Sequence, residues 1–444
     1  MKKSISGFSK MSKRKKLRWI VENFFKDHEP VARELMIFWH RNEDQQRIFD
    51  GFSENTISNY YLPYGVAPNF TINEQTYCVP MVIEESSVVA AAASAAKFWA
   101  TRGGFSAKVI STKKVGQVHF SWAGDFTKLQ AVFEALKERL LADVSLITKN
   151  MYSRGGGIYD IQLLDLTDQE ENYYQIWANF ETCDSMGANF INSVLEVFGN
   201  SLKEFVEQHP DFQGSEKEIT IIMAILSNYT PECIVRTEVS CPISDLGVFP
   251  ENMDAATFAH KFYKAVRIAH IDTNRATTHN KGIFNGIDAV ALATANDFRA
   301  IEACGHTYAA RDGKYRSLTN CSLENGIFKF WMDLPIALGT VGGLTKLHPI
   351  AKRSLELLGN PSAEELMMII ATAGLAQNFA ALRSLVTTGI QKGHMKMHLM
   401  NILNHLEASQ ENIIAAKLHF TDKAVSFTAV REFLAQQDLK KERV

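Results

Sequence analysis

The sequence predicts an α/β chain in which a small strand-rich unit is inserted into a larger mixed one, with helices at both ends. Three observations carry that expectation. Apolar residues recur at helical spacing near the ends, as in Leu17, Ile20, Val21 and Phe24, and again from Pro349 to Leu385. Between about Ile110 and Ile225 the texture changes to short alternating runs. Within that block strands and helices follow the order β-α-β-β-α-β, that of a ferredoxin-like split βαβ unit.

The elements follow in order. Residues from about Lys13 to Asp50 read as helices, Ser53–Ser58 as a polar turn, and Tyr61–Val66 and Tyr77–Ile83 as extended segments. Ser86-Ser87 opens a small-residue helix from Val88 to Ala96, because serine is a good N-cap. So many small side chains also let another backbone approach, as a ligand or subunit contact needs. Gly103-Gly104 is a break. In the inserted block, Gln117–Trp122, Tyr159–Leu164, Tyr174–Phe180 and Ile219–Ile225 read as strands, and Phe126–Leu141 and Phe190–Phe205 as helices. Ala255–Ile271 and Arg299–Ala310 are helices, Arg316–Cys321 with Gly326–Leu334 is a hairpin, and Gly339–Lys346 is a glycine-rich turn. Helices over Pro349–Leu358 and Ala363–Leu385 precede a hinge-like run, Gly389–Met395, and a final helical segment.

Composition excludes several classes. The 444 residues are 46% apolar and 22% charged, which is ordinary for a globular protein. A formal net charge of −2 gives no global field to recruit nucleic acid or an anionic membrane. The basic run Lys10–Arg18 reads as the solvated start of a helix that could also meet a nucleotide phosphate. Six cysteines without a Cys-x-x-Cys pair read as reduced thiols, which points to the cytoplasm. There is no apolar signal region, and the apolar stretches Val88–Ala96 and Leu366–Leu375 are too short to span a membrane. Neither a P-loop nor Gly-x-Gly-x-x-Gly is present. His394 and His398 have helical spacing, but no carboxylate lies between them and Lys396 is adjacent, so no metal site is expected.

The densest polar stretch is Arg275–Gly286, followed by Ala295-Asn-Asp-Phe-Arg299. Lys281 and Asp297 stand at the two ends of Gly286–Thr294, a segment expected to fold back so that they meet. A buried lysine held by a carboxylate would stabilise negative charge developing on a substrate oxygen. Local chemistry leaves a surface salt bridge at a turn equally open. In Asp184-Ser-Met-Gly-Ala-Asn189, Gly187 and Ala188 would let N–H groups at a helix start approach a phosphate or carboxamide, with Asn189 and Asn192 as polar readers. A plain capped turn is the alternative. His394, preceded by Gly389 and Gly393, is either a general acid on a mobile segment or a solvent histidine.

Further motifs accompany these in chain order: Glu54-Asn-Thr-Ile57, Glu84-Glu-Ser-Ser87, Gly339-Thr-Val-Gly-Gly343 with Thr345-Lys346 and His348-Pro349, and Gly374-Leu-Ala-Gln-Asn378. The set resembles the 3-hydroxy-3-methylglutaryl-CoA (HMG-CoA) reductase family, in the form of its soluble bacterial-type class II members, over nearly the whole chain. Ser86 where the family has proline, Ser185 for alanine, and Tyr159 where arginine is common are departures. The resemblance implies reduction of a thioester to an alcohol by two NAD(P)H, giving mevalonate and free coenzyme A. Lys281 would stabilise the oxyanion, Glu85 would be the neighbouring proton-carrying acid, Asp297 would hold and tune that pair, and His394 would protonate the departing thiolate. Ser87, Arg275 and Asn285 would grip the substrate, with Glu54, Asn55, Gln377 and Asn378 in matching segments. Asp184, Met186, Gly187, Asn189 and Asn228 match cofactor contacts. Residues 1–109 and 226–386 would form the large HMG-CoA-binding and dimerisation domain, 110–225 the inserted cofactor domain, and 387–444 a C-terminal helical flap. A homodimer, or an assembly of dimers, is implied. Of NADPH and NADH, Lys149 and Arg154 ahead of Gly155-Gly-Gly157, with no acid there, favour NADPH. Oxidative running in mevalonate degradation, and a different acyl-CoA reductase of this fold, remain open.

Overall fold

The structure is a computed structural model that describes residues 4–389, 399–421, 423 and 425–441. His394 and His398 lie outside the described residues. Helices α1 (Lys13–Phe24), α2 (His28–Ile37) and α3 (Glu43–Asp50) form the N-terminal arm, where Lys13 pairs with Asp50 at 2.6 Å. Strands β1 (Tyr64–Ile72) and β2 (Gln75–Val82) form an antiparallel hairpin. Asn73 and Glu74 join them with φ of 48° and 69°, the left-handed pair that a tight two-residue turn demands. Helix α4 (Val88–Ala100) follows. Its expected serine cap is absent: Ser87 has φ 79° and its side chain makes no capping bond. A non-glycine residue held left-handed is a strain that surrounding structure must impose.

The second unit begins after β3 (Ser106–Val109). It comprises β4 (Lys114–Trp122), α5 (Phe126–Ala131), α6 (Phe133–Asp143), α7 (Ser145–Tyr152), β5 (Gly157–Asp165), β6 (Tyr173–Glu181), α8 (Ala188–Gln208) and β7 (Ile219–Leu226). Its sheet has the order β5-β6-β4-β7 with every pairing antiparallel, which is the ferredoxin-like arrangement. The helix expected over Phe126–Leu141 breaks at Val132, and α7 was not foreseen. Val118, Phe120, Ile176, Phe180, Leu195 and Phe198 form this unit's own core.

The chain then returns to the larger unit through β8 (Ile234–Pro242), α9 (Ala255–Ile271), α10 (Thr273–Ala293), α11 (Phe298–Ala309), β9 (Thr319–Glu324), β10 (Ile327–Pro335), α12 (Pro349–Leu357) and α13 (Ala363–Val386). Here the sheet is β3-β8-β10-β9, again antiparallel. Helix α13 is long and apolar enough to cross a membrane, but 83% of its apolar window is buried inside the protein, so it is a core helix. A separate cluster of Leu399, Leu403, Ala416 and Phe433 joins the helices over 399–405, Gln410–His419 and Phe427–Lys441.

Residues 286–294 do not fold back; 286–293 are the second half of α10 and Thr294 is its C-cap. Two glycines of α10 and α13 serve packing. A Cβ on Gly286 would sit 2.5 Å from the Ala373 carbonyl oxygen, and one on Gly374 would sit 2.7 Å from Ile287. Glycine inside a helix costs about 1 kcal/mol relative to alanine, and here the close crossing of α10 and α13 requires it.

Candidate active site

Lys281 and Asn285 lie one turn apart on α10 and face the β2–α4 connection, which carries Glu85. Lys281 Nζ is 2.6 Å from Glu85 Oε2, and Asn285 Nδ2 donates to the same oxygen at 3.3 Å. Two structural expectations about this pair need correction. The Lys281 side chain is 60% exposed rather than buried, and its carboxylate partner is Glu85 rather than Asp297. Asp297 caps α11 instead, accepting from the Arg299 and Ala300 N–H groups, and pairs with the Arg299 guanidinium at 3.1 Å. The cause is the continuity of α10, which places Asp297 beyond a turn through Ala295 at φ 55°.

Other polar groups gather on the same helix. Arg275 is half-buried and makes no ion pair or hydrogen bond among the described residues; burial lowers its pKa while Asp272 opposes the shift. A guanidinium so placed can accept a substrate carboxylate in bidentate fashion. Asp288, two turns beyond Lys281, was not singled out from the sequence. Its Oδ1 is buried without a donor. Burial first, then Glu302 and Glu84, hold its carboxyl well above the usual range, while Lys281 pulls the other way. No motif marks it, and only the fold brings the three acids together.

Not every candidate joins this centre. Asn378 is 1% exposed; its side chain donates to the His279 carbonyl and accepts from Thr319, so it ties α13 to α10. Gln377 is 6% exposed with Oε1 unpartnered, and its Cβ would lie 2.9 Å from a Cβ on Gly286. Ser87 sits directly after Glu85 and Ser86 at the head of α4. Glu54 and Asn55 are exposed at the turn after α3, and no hydrogen bond links them to Glu85 or Lys281. His394 falls outside the described residues.

The Asp184–Asn189 turn is built as a clamp. Asp184 Oδ1 accepts from the Ala363 N–H at 2.7 Å, and its carbonyl accepts from Thr340 and Val341 at 2.9 and 3.2 Å. That fixes the turn against the glycine-rich loop and the head of α13. Asn296 Oδ1 accepts from the Gly339 N–H at 2.9 Å, and a Cβ on Gly339 would collide with Met186 N at 2.5 Å. Gly187 has φ 92°, and a Cβ there would lie 2.4 Å from Thr182 Cγ2, so the position needs glycine twice over. No side chain caps α8, which leaves its first-turn N–H groups and positive dipole end available to an anion. Asn189 and Asn228 are exposed near it. Asn192 Oδ1 accepts from the Leu226 N–H at 2.9 Å and anchors β7. Met186 and Asn228 line one cavity with Lys114, Ser227, Ala300 and Cys304. Because Asp297 caps the helix that supplies Ala300 and Cys304, the Asp184–Asn189 turn and the Lys281 helix meet at α11.

With this geometry in view, similarity to known proteins is informative. The family described as hydroxymethylglutaryl-coenzyme A reductase matches residues 14–399. A 3-hydroxy-3-methylglutaryl-coenzyme A reductase of Archaeoglobus fulgidus is 35% identical over 409 residues, covering 90% of this chain and 87% of the relative. A probable enzyme of the same name from Borreliella burgdorferi is 30% identical over 413 residues, covering 92% of this chain and 90% of the relative. Among solved structures, the class II reductase of Streptococcus pneumoniae bound to NADPH in open conformations superposes with a TM-score of 0.70 at 35% identity, covering 86% of this chain and 100% of that one. Another structure of the Streptococcus pneumoniae reductase gives a TM-score of 0.71 at 33% identity, covering 98% of this chain and 100% of that one.

Proposed function

The chain belongs to the hydroxymethylglutaryl-coenzyme A reductase family, and on that premise we propose how its residues divide the reduction of a thioester to an alcohol. It is an NAD(P)H-dependent oxidoreductase that converts HMG-CoA to mevalonate and coenzyme A in the mevalonate pathway. The observation that carries the assignment is the convergence of Lys281 and Asn285 on Glu85 Oε2.

The bound cofactor supplies hydride, once to the thioester and once to the aldehyde. The residues present fit it: Gly187 and the uncapped head of α8 suit phosphate, with Asp184, Met186, Asn189 and Asn228 around them. Lys281 stabilises the oxyanion that develops at each reduction, and the exposure of its ammonium leaves room for a substrate carbonyl to displace water there. Glu85 carries the proton exchanged with that oxygen, since it already lies at hydrogen-bond distance from Lys281. Asp297, held by Arg299 and the first N–H groups of α11, is assigned the tuning of the pair on the family resemblance alone. Arg275, with Ser87 and Asn285, holds the substrate carboxylate and hydroxyl, its guanidinium, unpaired among the described residues, being the favoured anchor. His394 protonates the coenzyme A thiolate.

We assign residues 1–109 and 226–386 to substrate binding and dimerisation, 110–225 to the cofactor and 387–444 to a flap, a division supported by three separate apolar cores. A cytoplasmic homodimer fits the exposed small residues Ala90 and Ser94 on α4, which permit close backbone approach. NADPH is favoured over NADH: Arg154, whose carbonyl lies 3.4 Å from Cys183 Sγ, is held next to the cofactor turn, and Lys149 precedes it on α7. The division of roles is tested with His394→Gln, which should impair thioester reduction far more than reduction of free mevaldehyde. Equal losses on both substrates would remove His394 from the thiolate step.

A further inference from the structure

We propose that Lys114 supplies a buried positive charge that grips the pyrophosphate of the dinucleotide cofactor at the N-terminus of α8. The inference rests on reading Asp184–Asn189 as the cofactor turn and adds a residue that lies outside every motif noted above.

Lysine is almost never fully buried unless it is paired. Lys114 is 4% exposed, yet it makes no ion pair and its ammonium donates no hydrogen bond among the described residues. Its neighbour Lys113 behaves ordinarily, reaching Glu232 at 3.3 Å on the surface. The nearby carboxylate of Glu181 is already engaged by the Thr112 hydroxyl and, at 2.7 Å, by the Cys183 N–H.

The register of α8 on β4 shows where Lys114 lies. A Cβ on Gly199, far along α8, would sit 3.7 Å from Val118. A Cβ on Gly116 would sit 2.6 Å from Leu195 and 2.8 Å from Ile191, nearer the head of the helix. Alternate strand residues share a face. Lys114, two residues before Gly116, therefore continues that row toward the first turn of α8. Lys114 also lines a small cavity, ≈ 10 Å³, together with Met186, Ile191 and Asn228, which places it beside the cofactor turn.

Two positive features thus meet at one place: an unpaired ammonium and the uncapped head of a 21-residue helix. Left alone, they repel, and the ammonium stays buried without a hydrogen-bonded partner among the described residues. An anion resolves both, and the cofactor turn is where a dinucleotide brings one. The pyrophosphate is common to NADPH and NADH, whereas the 2′-phosphate belongs to NADPH alone, which gives the test two arms.

Lys114→Met keeps the apolar stem and removes the charge; Lys114→Arg restores the charge. Binding of NADPH and of NADH is titrated for each, with melting temperature as the folding control and Lys114→Gln as a second neutral variant. Lys114→Met should weaken both cofactors equally, by roughly 10- to 100-fold for a lost charge-assisted contact. Lys114→Arg should recover most of that loss, and the KM for HMG-CoA should not move. Inorganic pyrophosphate should compete with NADPH in the wild type and compete poorly in Lys114→Met. Unchanged affinity in a folded neutral variant overturns the proposal, as does a loss confined to NADPH. A wild type that binds neither cofactor would instead overturn the cofactor-turn reading itself.

Discussion

Replacing Lys281 by methionine separates the catalytic reading of the Glu85–Lys281 pair from a structural one. The contact is short, 2.6 Å, but the two side chains are 60% and 38% exposed. An ion pair that solvent reaches on both sides contributes about 0–1 kcal/mol to stability. Methionine preserves the stem that packs along α10, and Asn285 still donates to Glu85 at 3.3 Å, so the carboxylate is not stranded. The melting temperature should therefore fall by no more than about 2–4 °C. Catalysis should respond quite differently, because a preorganised oxyanion donor contributes about 100- to 1,000-fold in kcat. Steady-state oxidation of NADPH with HMG-CoA, alongside a thermal melt, reads both quantities on one preparation. Near-normal kcat would refute the assignment of Lys281. Collapse of the fold with proportionate loss of activity would refute the claim that the pair is mainly catalytic.

Two other perturbations probe the supporting structure. Gly187→Ala places a methyl group 2.4 Å from Thr182 Cγ2 at a φ of 92°, so the turn must distort at a cost of about 1–3 kcal/mol; the KM for NADPH should rise at least tenfold while that for HMG-CoA changes little, and equal KM values for NADPH in wild type and variant would contradict the clamp. Burial, with Arg275 and His270 adding, pushes His279 down to about 3, so the folded state stays neutral where the unfolded chain takes up a proton. Its contribution is therefore complete above about pH 6.5 and is lost as pH falls from there towards 3, at ~1.4 kcal/mol per pH unit. Urea midpoints at pH 7 and pH 5 should show His279→Gln losing less stability on acidification than the wild type; identical pH slopes would sink that reading.

Much of this fold was legible because its periodicity was strong. Ala255–Ile271 as a helix, Gln117–Trp122 and Ile219–Ile225 as strands, and the β-α-β-β-α-β order all stand in the structure. The failures have physical causes. The segment Gly286–Thr294 was expected to fold back, whereas it continues α10 through a helix crossing in which Gly286 meets Ala373. The central strand β8 was passed over although Val235, Thr237, Val239 and Cys241 alternate with outward residues, of which Arg236 and Glu238 pair with Asp333 and Lys329 on β10. Within the site, the resemblance already set Glu85 beside Lys281, but that Asp297 pairs with Arg299 was not legible, since it depends on where α10 ends. Lys114 and Asp288 carried no motif at all. Their significance comes from burial and from neighbours distant in sequence.

The central claim is that this chain reduces HMG-CoA at a centre built on Glu85 and Lys281. The most direct measurement follows reduced nicotinamide and product together, with purified protein, NADPH and HMG-CoA. The account predicts HMG-CoA-dependent consumption of two NADPH for each mevalonate and each free thiol released. No consumption, or consumption without mevalonate, would contradict it.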